Sequence, residues 1–265
     1  MDETTTSLQT SPDTLPSVVV IGLASCFGCQ LQITNMEREL LDLLGQFHLS
    51  YWQLAQDGHL PESMDIAIIE GAITTQESLE LVRDIRNRAR VVIAIGACAT
   101  TAGIPGIAAL NYAAKQAIVY KNPSSLVSDM REPMSVCAAI KVDFEVFACP
   151  INSQDFAQTL NAALHGSNVL PTCKTMCSDC KRNETSCFYE EGSVCLGLVT
   201  RAGCNACCVN LGRPCNGCRG LSDEANLEAA RMAVSRYGCD VAEFERALQL
   251  FNQTNSRLEV KTTTA

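Results

Sequence analysis

The stretch VVVIGLASCFGCQLQITN, residues 18–35, has the pattern of a buried strand, a short turn and the start of a helix. In many α/β proteins the turn at this point is rich in glycine and holds a phosphate group. Here Cys26 and Cys29 occupy the turn, and thiolates are ligands for soft metals. The other motifs of the sequence therefore bear on which ligand these two thiols would bind, in a turn where many α/β proteins bind a nucleotide.

Short apolar runs and amphipathic segments alternate from Ser17 to about residue 168. The runs Asp65–Glu70, Arg90–Gly96 and Lys141–Ala148 predict three more strands after the first. None shows a clean polar alternation, which is typical of a parallel sheet covered by helices on both faces. We therefore predict an α/β fold over residues 17–168, a flavodoxin-like doubly wound parallel sheet, preceded by a disordered tail over residues 1–16.

Three helices are predicted in the same region. They cover residues 31–47, 75–89 and 153–166. Thr75 is placed to cap the second helix, and Gly166 is placed to end the third. From these elements we expect a domain large enough to bury its own core.

Composition excludes several classes of function. The chain has 265 residues and a net charge of −9, which disfavours nucleic acid or an anionic membrane surface as a partner. No window approaches the roughly 18 apolar residues of a membrane span. The polar, acidic first residues lack the basic and apolar regions of an export signal. We therefore expect a cytoplasmic protein, whose thiols stay reduced and can bind metal.

The other cysteines of the predicted sheet also follow strands. Cys98, in IGACATTAGIPG, comes after the third predicted strand, and Cys149, in FACPIN, comes after the fourth. The carboxyl ends of parallel strands form one edge of a sheet, and open α/β sheets bind ligands there. The thiols expected to converge at that edge are those of Cys26, Cys29, Cys98 and Cys149.

Four converging thiolates suit either zinc or a 4Fe-4S cluster. Structural zinc sites usually draw on two close C-x-x-C pairs, whereas this set has one pair and two distant single cysteines. Cys149 precedes Pro150, as the last ligand does in ferredoxin sequences. The glycines that would let the backbone approach a bulky inorganic core are Gly28, Gly96, Gly103 and Gly106. A cluster is favoured, with zinc and unmetallated buried thiols as the alternatives.

Eleven of the sixteen cysteines lie between Cys173 and Cys239, where apolar runs are short. We expect residues 169–265 to form a small, cysteine-rich iron–sulfur domain with two clusters, followed by helices over residues 223–238 and 240–253. Its ligands would be Cys177, Cys180, Cys187, Cys195, Cys204, Cys208, Cys215 and Cys218. In two-cluster ferredoxins a ligand can come from the opposite run, so spacing does not assign these cysteines to individual clusters. A pair of zinc ions is the alternative.

Four cysteines remain outside these sets. Cys173 and Cys207 lie beside expected ligands and could substitute for them, whereas Cys137 and Cys239 are expected to be packed thiols. Three clusters in a chain without an evident substrate pocket indicate an electron carrier whose source and acceptor lie on other chains.

Several motifs of the sequence resemble those of a known family. The sequence resembles the small subunit of cytoplasmic nickel–iron hydrogenases in five motifs taken together: ASCFGCQLQITN, EGAITT, IGACATTAGIPG, FACPIN and CLGLVTRAGCNACC…RPCNGCRG. The delta subunit of NADP-linked sulfhydrogenases is the nearest type, and the methyl-viologen-reducing and deazaflavin-reducing hydrogenase small subunits are related. The resemblance covers about residues 17–220. The sequence departs from the family pattern at three positions. Cys207 lies where the family usually has a residue other than cysteine, and Leu198 and Val209 lie where it usually has proline.

The resemblance implies a hydrogenase subunit, an oxidoreductase component that carries three 4Fe-4S clusters called proximal, medial and distal. Its proximal ligands would be the four cysteines of the sheet edge, and the other eight would hold the medial and distal clusters. Electrons would pass between the nickel–iron centre of a large subunit and a flavin or NAD(P)-binding subunit or another iron–sulfur diaphorase subunit. Glu70 follows the second predicted strand on the same edge. It could shape the cluster environment, move protons, cap a helix or lie in solvent.

Two other functions stay open at this point. The proximal-cluster subunit of respiratory NADH:quinone oxidoreductase shares the fold. That subunit carries adjacent cysteines at its first ligands and lacks the second cysteine-rich region, whereas two residues separate Cys26 from Cys29 here. The hydrogenase interpretation is therefore preferred. A zinc-stabilised interaction module without a redox role is the alternative from a different class.

Overall fold

A computed structural model of the chain describes residues 15–120, 129–169 and 172–258. Most of the predicted tail, residues 1–14, lies outside this range, as do the last residues, 259–265. Pro16, the last residue of the predicted tail, lies within the described residues. Its carbonyl oxygen accepts a hydrogen bond of 2.9 Å from the backbone N–H of His48.

The centre of the first domain is a five-stranded parallel sheet. Its strands are β1 (Ser17–Gly22), β2 (His48–Trp52), β3 (Met64–Glu70), β5 (Ala89–Ile95) and β7 (Phe144–Val146). They lie in the order β2-β1-β3-β5-β7, which is the flavodoxin-like arrangement 2-1-3-4-5 when the five are counted along the chain. A separate antiparallel pair consists of β4 (Ile73–Thr75) and β6 (Met130–Met134). The predicted fold class is confirmed.

Helices cover both faces of the sheet, as a doubly wound fold requires. On one face lie α1 (Gly28–Thr34), α2 (Arg38–Leu44) and α7 (Ser153–Leu164). On the other lie α3 (Gln76–Arg88), α4 (Gly96–Thr101) and α6 (Val136–Ala139). Strand side chains alternate between the two cores, so Val18 and Val20 enter the first core and Val19 and Ile21 the second. A further helix, α5, covers Tyr112–Val119.

The cysteine-rich part has its own small core. It is made of short turns of helix that carry cysteines, α8 (Cys177–Arg182) and α9 (Cys207–Asn210), and of two longer helices, α10 (Leu227–Arg236) and α11 (Val241–Gln249). Leu196, Val199 and Met176 from the cysteine loops pack against Val234 and Phe244 from the two longer helices. These helices fall within the two segments expected from the sequence.

The structure differs from the sequence-based expectation at several elements. The sequence does not predict β2. Only Trp52 of its five residues is buried, so the strand lacks a continuous apolar run. The single helix predicted over residues 31–47 is two helices, separated where Glu37 adopts a left-handed φ of 50°. The strand predicted for Lys141–Ala148 is limited to Phe144–Val146. Among the described residues no helix has the length and apolar character needed to cross a membrane.

Candidate functional site

Four thiols meet at the carboxyl edge of the sheet, and we call them the first thiol group. Its members are Cys26 after β1, Cys29 in α1, Cys98 in α4 and Cys149 after β7. Burial is the main cause that raises the pKa of Cys29, Cys98 and Cys149; the charge of nearby Cys149 adds to it at Cys29 and Cys98, and the charge of nearby Cys26 adds to it at Cys98 and Cys149. Residues from three loops, far apart in sequence, therefore lie near one another, as their positions after the strands predicted.

Burial makes these thiols reluctant to ionise without a cation. Desolvation is the main reason that the pKa of Cys29 lies well above its usual value, with the charge of Glu70 adding to it. The pKa of Cys98 rises to about 11, first through burial and then through the charges of Cys149 and Cys26. Clustered thiolates repel one another and need a positive charge between them. This is the donor chemistry of a metal or iron–sulfur site, since metal binding removes the protons.

The backbone around the first group has no room for additional side chains. A Cβ atom on Gly96 would lie 2.4 Å from the Cys29 sulfur, and Gly96 has a φ of +81°. A Cβ atom on Gly28 would lie 3.2 Å from the Cys26 sulfur. At these two positions glycine keeps the backbone against the thiols, as expected for a polypeptide that wraps a compact inorganic core.

Glu70 lies behind the first group in a buried hydrogen-bond network. It is 1% exposed, and its two carboxylate oxygens accept from the Cys29 N–H at 3.1 Å and from Gln30 Nε2 at 2.8 Å. The side-chain oxygen of Gln30 accepts from Trp52 Nε1 at 2.7 Å. The interpretation of Glu70 as a solvated carboxylate is therefore wrong, and its bond to Cys29 anchors the first turn of α1. The sequence does not point to Gln30 and Trp52, because only the tertiary fold brings them to Glu70.

A second thiol group lies in the cysteine-rich part. It contains Cys177, Cys180, Cys187 and Cys195. Burial raises the pKa of Cys177 to about 12, with further contributions from the charges of the other three members. A Cβ atom on Gly197 would lie 3.4 Å from the sulfur of Cys177 and 3.6 Å from that of Cys195, so the backbone again lies against the thiols.

The third thiol group lies between the other two. It contains Cys204, Cys208, Cys215 and Cys218. Burial raises the pKa of Cys218 to about 11, a hydrogen bond with the Cys149 backbone lowers it, and the charges of Cys204, Cys208 and Cys149 raise it further. At the other side of the group, the backbone N–H of Cys215 donates to the Cys195 sulfur at 3.2 Å. The third group therefore adjoins the first through Cys218 and the second through Cys215.

The four remaining cysteines differ in their surroundings. Cys239 is 8% exposed and packs into the core of the cysteine-rich part, and Cys137 packs against the sheet core beside Glu145. Cys173 and Cys207 are exposed. Within residues 15–120, 129–169 and 172–258, no three His, Cys, Asp or Glu side chains are arranged to hold a single metal ion.

A flavodoxin-like sheet with thiols at its carboxyl edge, joined to a cysteine-rich part, defines the class of iron–sulfur subunits of oxidoreductases. The family model described as NADH ubiquinone oxidoreductase, 20 Kd subunit, matches residues 26–163. Sulfhydrogenase 2 subunit delta of Pyrococcus furiosus is 34% identical over 209 residues, which cover 78% of this chain and 87% of that protein. A subunit of the F420-non-reducing hydrogenase vhu of Methanocaldococcus jannaschii is 30% identical over 240 residues, which cover 78% of this chain and 83% of that protein.

The chain therefore belongs to this family, in the branch formed by the small subunits of hydrogenases. The resemblance drawn from the cysteine motifs is confirmed, and so is its assignment to a hydrogenase subunit, an oxidoreductase component. The family model alone also bears the name of the respiratory subunit, but the relatives that match the cysteine-rich part are hydrogenase subunits.

A solved structure of similar fold is the nickel–iron–selenium hydrogenase from Desulfomicrobium baculatum. It aligns with a TM-score of 0.55 and 17% identity, and the alignment covers 80% of this chain and 96% of the other. This alignment extends beyond the flavodoxin-like domain, so the cysteine-rich part has a counterpart in a known fold.

Proposed function

We propose that the chain carries electrons between the nickel–iron site of a hydrogenase large subunit and a flavin or NAD(P)-binding subunit, through three 4Fe-4S clusters. The order of the thiol groups supports this proposal most directly. The third group contacts the first through Cys218 and the second through Cys215. Three groups in a continuous series are what a path for electrons requires.

The ligand sets follow from the same contacts. The first group would hold the proximal cluster, the third group the medial cluster and the second group the distal cluster. This assignment uses the neighbourhood of each thiol, because the spacing of the cysteines in the sequence does not assign them to individual clusters. When bound, each cluster would accept and release one electron with little change of geometry.

The residues around the first group would hold charge and exclude water. Glu70, Gln30 and Trp52 fill the space behind Cys29 with satisfied hydrogen bonds. The Glu70 carboxylate adds negative charge beside the thiols, which favours the oxidised state of a bound centre. The close backbone at Gly28 and Gly96 limits the room for solvent.

The partners are proposed from relatives rather than from this chain. NAD-reducing hydrogenase HoxS subunit delta of Cupriavidus necator is 33% identical over 90 residues, which cover 34% of this chain. This match supports a nicotinamide-linked partner for the complex. A large subunit with the nickel–iron centre is proposed because the relatives are subunits of hydrogenases. The cytoplasm is the proposed location, because the thiols have to stay reduced until they bind metal.

Metal and sulfide analysis of the full chain, purified without oxygen and without its partner subunits, tests the proposal. Three 4Fe-4S clusters predict about 12 iron atoms per chain, with equal sulfide and broad brown absorption. Two or three zinc atoms per chain and a colourless sample would contradict it and would support the zinc-stabilised module.

A variant of the first group tests which cysteines carry the function. Cys26→Ser should change the electron paramagnetic resonance (EPR) signal of the proximal centre and stop hydrogen-dependent dye reduction. Cys173→Ser is the matched control, since Cys173 is exposed and outside the three groups. Unchanged dye reduction and an unchanged signal in Cys26→Ser would contradict the ligand assignment.

A further inference from the structure

Arg219 is a buried cation at the junction of the two parts of the chain. Its side chain is 7% exposed, although arginine is rarely buried unless it is paired. The residue directly follows Cys218, the member of the third thiol group that neighbours Cys149. The position of its guanidinium therefore affects both the first and the third thiol groups.

The guanidinium of Arg219 has acceptors in both parts of the chain. In the cysteine-rich part, Nε donates to the Ala202 carbonyl at 2.9 Å. In the flavodoxin-like domain, Nη1 donates to the Phe147 carbonyl at 3.2 Å and to Asp155 Oδ2 at 2.7 Å. The planar guanidinium has fixed donor directions and thus joins the segment of Phe147 to the segment of Ala202. In the described part of the chain, these two segments are not paired as strands of one sheet.

Two of the acceptors lie close in sequence to proposed ligands. Phe147 is two residues before Cys149, and Ala202 is two residues before Cys204. A change in the position of the guanidinium would therefore move ligand loops of the first and third groups relative to each other. The structure also keeps room for the group at Gly203, where a Cβ atom would lie 2.7 Å from Arg219 Nη2.

A neighbouring arginine supports the same junction from its other side. Arg201 stacks over the Phe147 ring at 4.6 Å and pairs with both oxygens of Asp223 at 2.9 and 3.0 Å. Arg201 holds the side chain of Phe147, whereas Arg219 holds its carbonyl oxygen. Of these two arginines, Arg219 is the one that connects the acidic side chain of α7, Asp155, with the cysteine loops.

We infer that Arg219 is the positioning residue that sets the spacing between the first and third thiol groups, and with it the rate of electron exchange between them. The inference rests on the proposed function for its effect on electrons. The spacing itself can be measured independently of that function.

Variants of Arg219 in the assembled complex test the inference by two readouts other than activity. Arg219→Met removes all three hydrogen bonds, so backbone hydrogen exchange should become faster at residues 147–149 and 202–204. The spin–spin interaction between the reduced centres at the first and third groups should change. Iron content should stay that of the unaltered complex, and the rate of hydrogen-dependent dye reduction should fall, because the spacing between the two centres changes.

Two further variants separate position from charge and from folding. Arg219→Lys keeps the positive charge, but a single ammonium cannot reproduce the planar fork, so it should show the same changes in a weaker form. Arg86→Met is the control, because Arg86 also pairs with an aspartate, Asp143 at 2.6 Å, and with backbone carbonyls, but away from the cysteines. It should leave the spin–spin interaction unchanged.

The outcomes distinguish this inference from the proposed function. Unchanged exchange at both segments and an unchanged spin–spin interaction in Arg219→Met and Arg219→Lys would overturn the inference while the proposed function stands. If Arg219→Met does not fold, the Lys variant decides. Zinc instead of iron in the unaltered complex would contradict the proposed function, and hydrogen exchange alone would then decide whether Arg219 holds the two segments together.

Discussion

At the scale of single residues, glycine at position 96 is required by the thiol beside it. A Cβ atom there would collide with the Cys29 sulfur at 2.4 Å, and the φ of +81° would strain any other residue. We predict that Gly96→Ala loses the proximal centre, which lowers iron by about four atoms per chain in metal analysis of the purified complex.

Gly192→Ala is the control for backbone strain alone. Gly192 has a φ of +74°, but a Cβ atom there would meet nothing within 4 Å. This variant should lose only about 1 kcal/mol of stability and keep its iron. Equal iron content in Gly96→Ala and Gly192→Ala would show that the contact with Cys29 has no role.

The buried network behind the first thiol group makes a second prediction. Gln30→Leu would leave Glu70 Oε2 and Trp52 Nε1 without a hydrogen-bond partner in a buried place, whereas Glu70 Oε1 would keep its bond from the Cys29 N–H. We expect the free energy of unfolding to fall by about 3 kcal/mol, as measured by chemical denaturation. Gln32→Leu changes a half-exposed side chain of the same helix and should stay within about 0.5 kcal/mol. A similar loss in both variants would contradict the proposed importance of the network.

The raised thiol pKa values predict how the metal-free chain responds to pH. Cys98 has a folded pKa of about 11 against 9.0 for an unperturbed thiol, so between these values the unfolded chain binds fewer protons. The stability that Cys98 contributes is complete below pH 9.0 and is lost as the pH rises to about 11. Cys98→Ala should therefore lose less stability over this interval.

Thermal unfolding of the reduced, metal-free chain across that interval measures the effect. Cys173→Ala, which removes an exposed thiol outside the groups, is the control. If the stability of Cys98→Ala and of the unaltered chain depended on pH in the same way, burial would not raise the pKa of Cys98.

At the scale of elements, the start of α7 links the fold to the junction between the two parts. The side-chain oxygen of Asn152 accepts from the backbone N–H of Gln154 at 2.8 Å and of Asp155 at 3.2 Å. This cap holds the helix turn that carries Asp155 toward Arg219. We predict that Asn152→Ala lowers the free energy of unfolding by about 1 kcal/mol in urea denaturation.

Asn152→Ser keeps a side-chain oxygen that can cap the helix and should retain most of that stability. If the Ala and Ser variants were equally stable, the hydrogen bonds of Asn152 would not account for the start of α7.

Three of the four strands that the sequence predicts share one property. β1, β3 and β5 are buried on both faces, so their sequences are continuous apolar runs that indicate a parallel sheet. β2 at the sheet edge is half-buried and lacks such a run. The division between α1 and α2 could not be predicted either, because no glycine or proline marks the positive φ at Glu37.

The candidate site was predictable where it depended on topology. Cysteines directly after parallel strands must come to the same edge, so Cys98 and Cys149 could be placed beside Cys26 from the sequence alone. The order of the other two groups could not, because it depends on tertiary contacts such as that of Cys215 with Cys195. The role of Arg219 was not predictable for the same reason.

At the scale of the whole molecule, the two parts of the chain are joined near the thiols. The sheet has a hydrophobic core on each face and the cysteine-rich part has a third, and the Arg219–Asp155 ion pair spans the boundary between the two parts. The cysteine-rich core is small, so bound metal would contribute much of its stability. The domain division at about residue 168 stays a prediction.

We propose that the three groups of thiols hold three iron–sulfur centres in series. Anomalous X-ray scattering from crystals of the native complex, recorded at the iron and zinc absorption edges, can locate these metals. We expect iron signal at three positions in this chain, each bounded by one of the three thiol groups, with the group of Cys204 and Cys218 in the middle. Zinc signal at these positions, or the thiols paired in disulfides without metal, would contradict it.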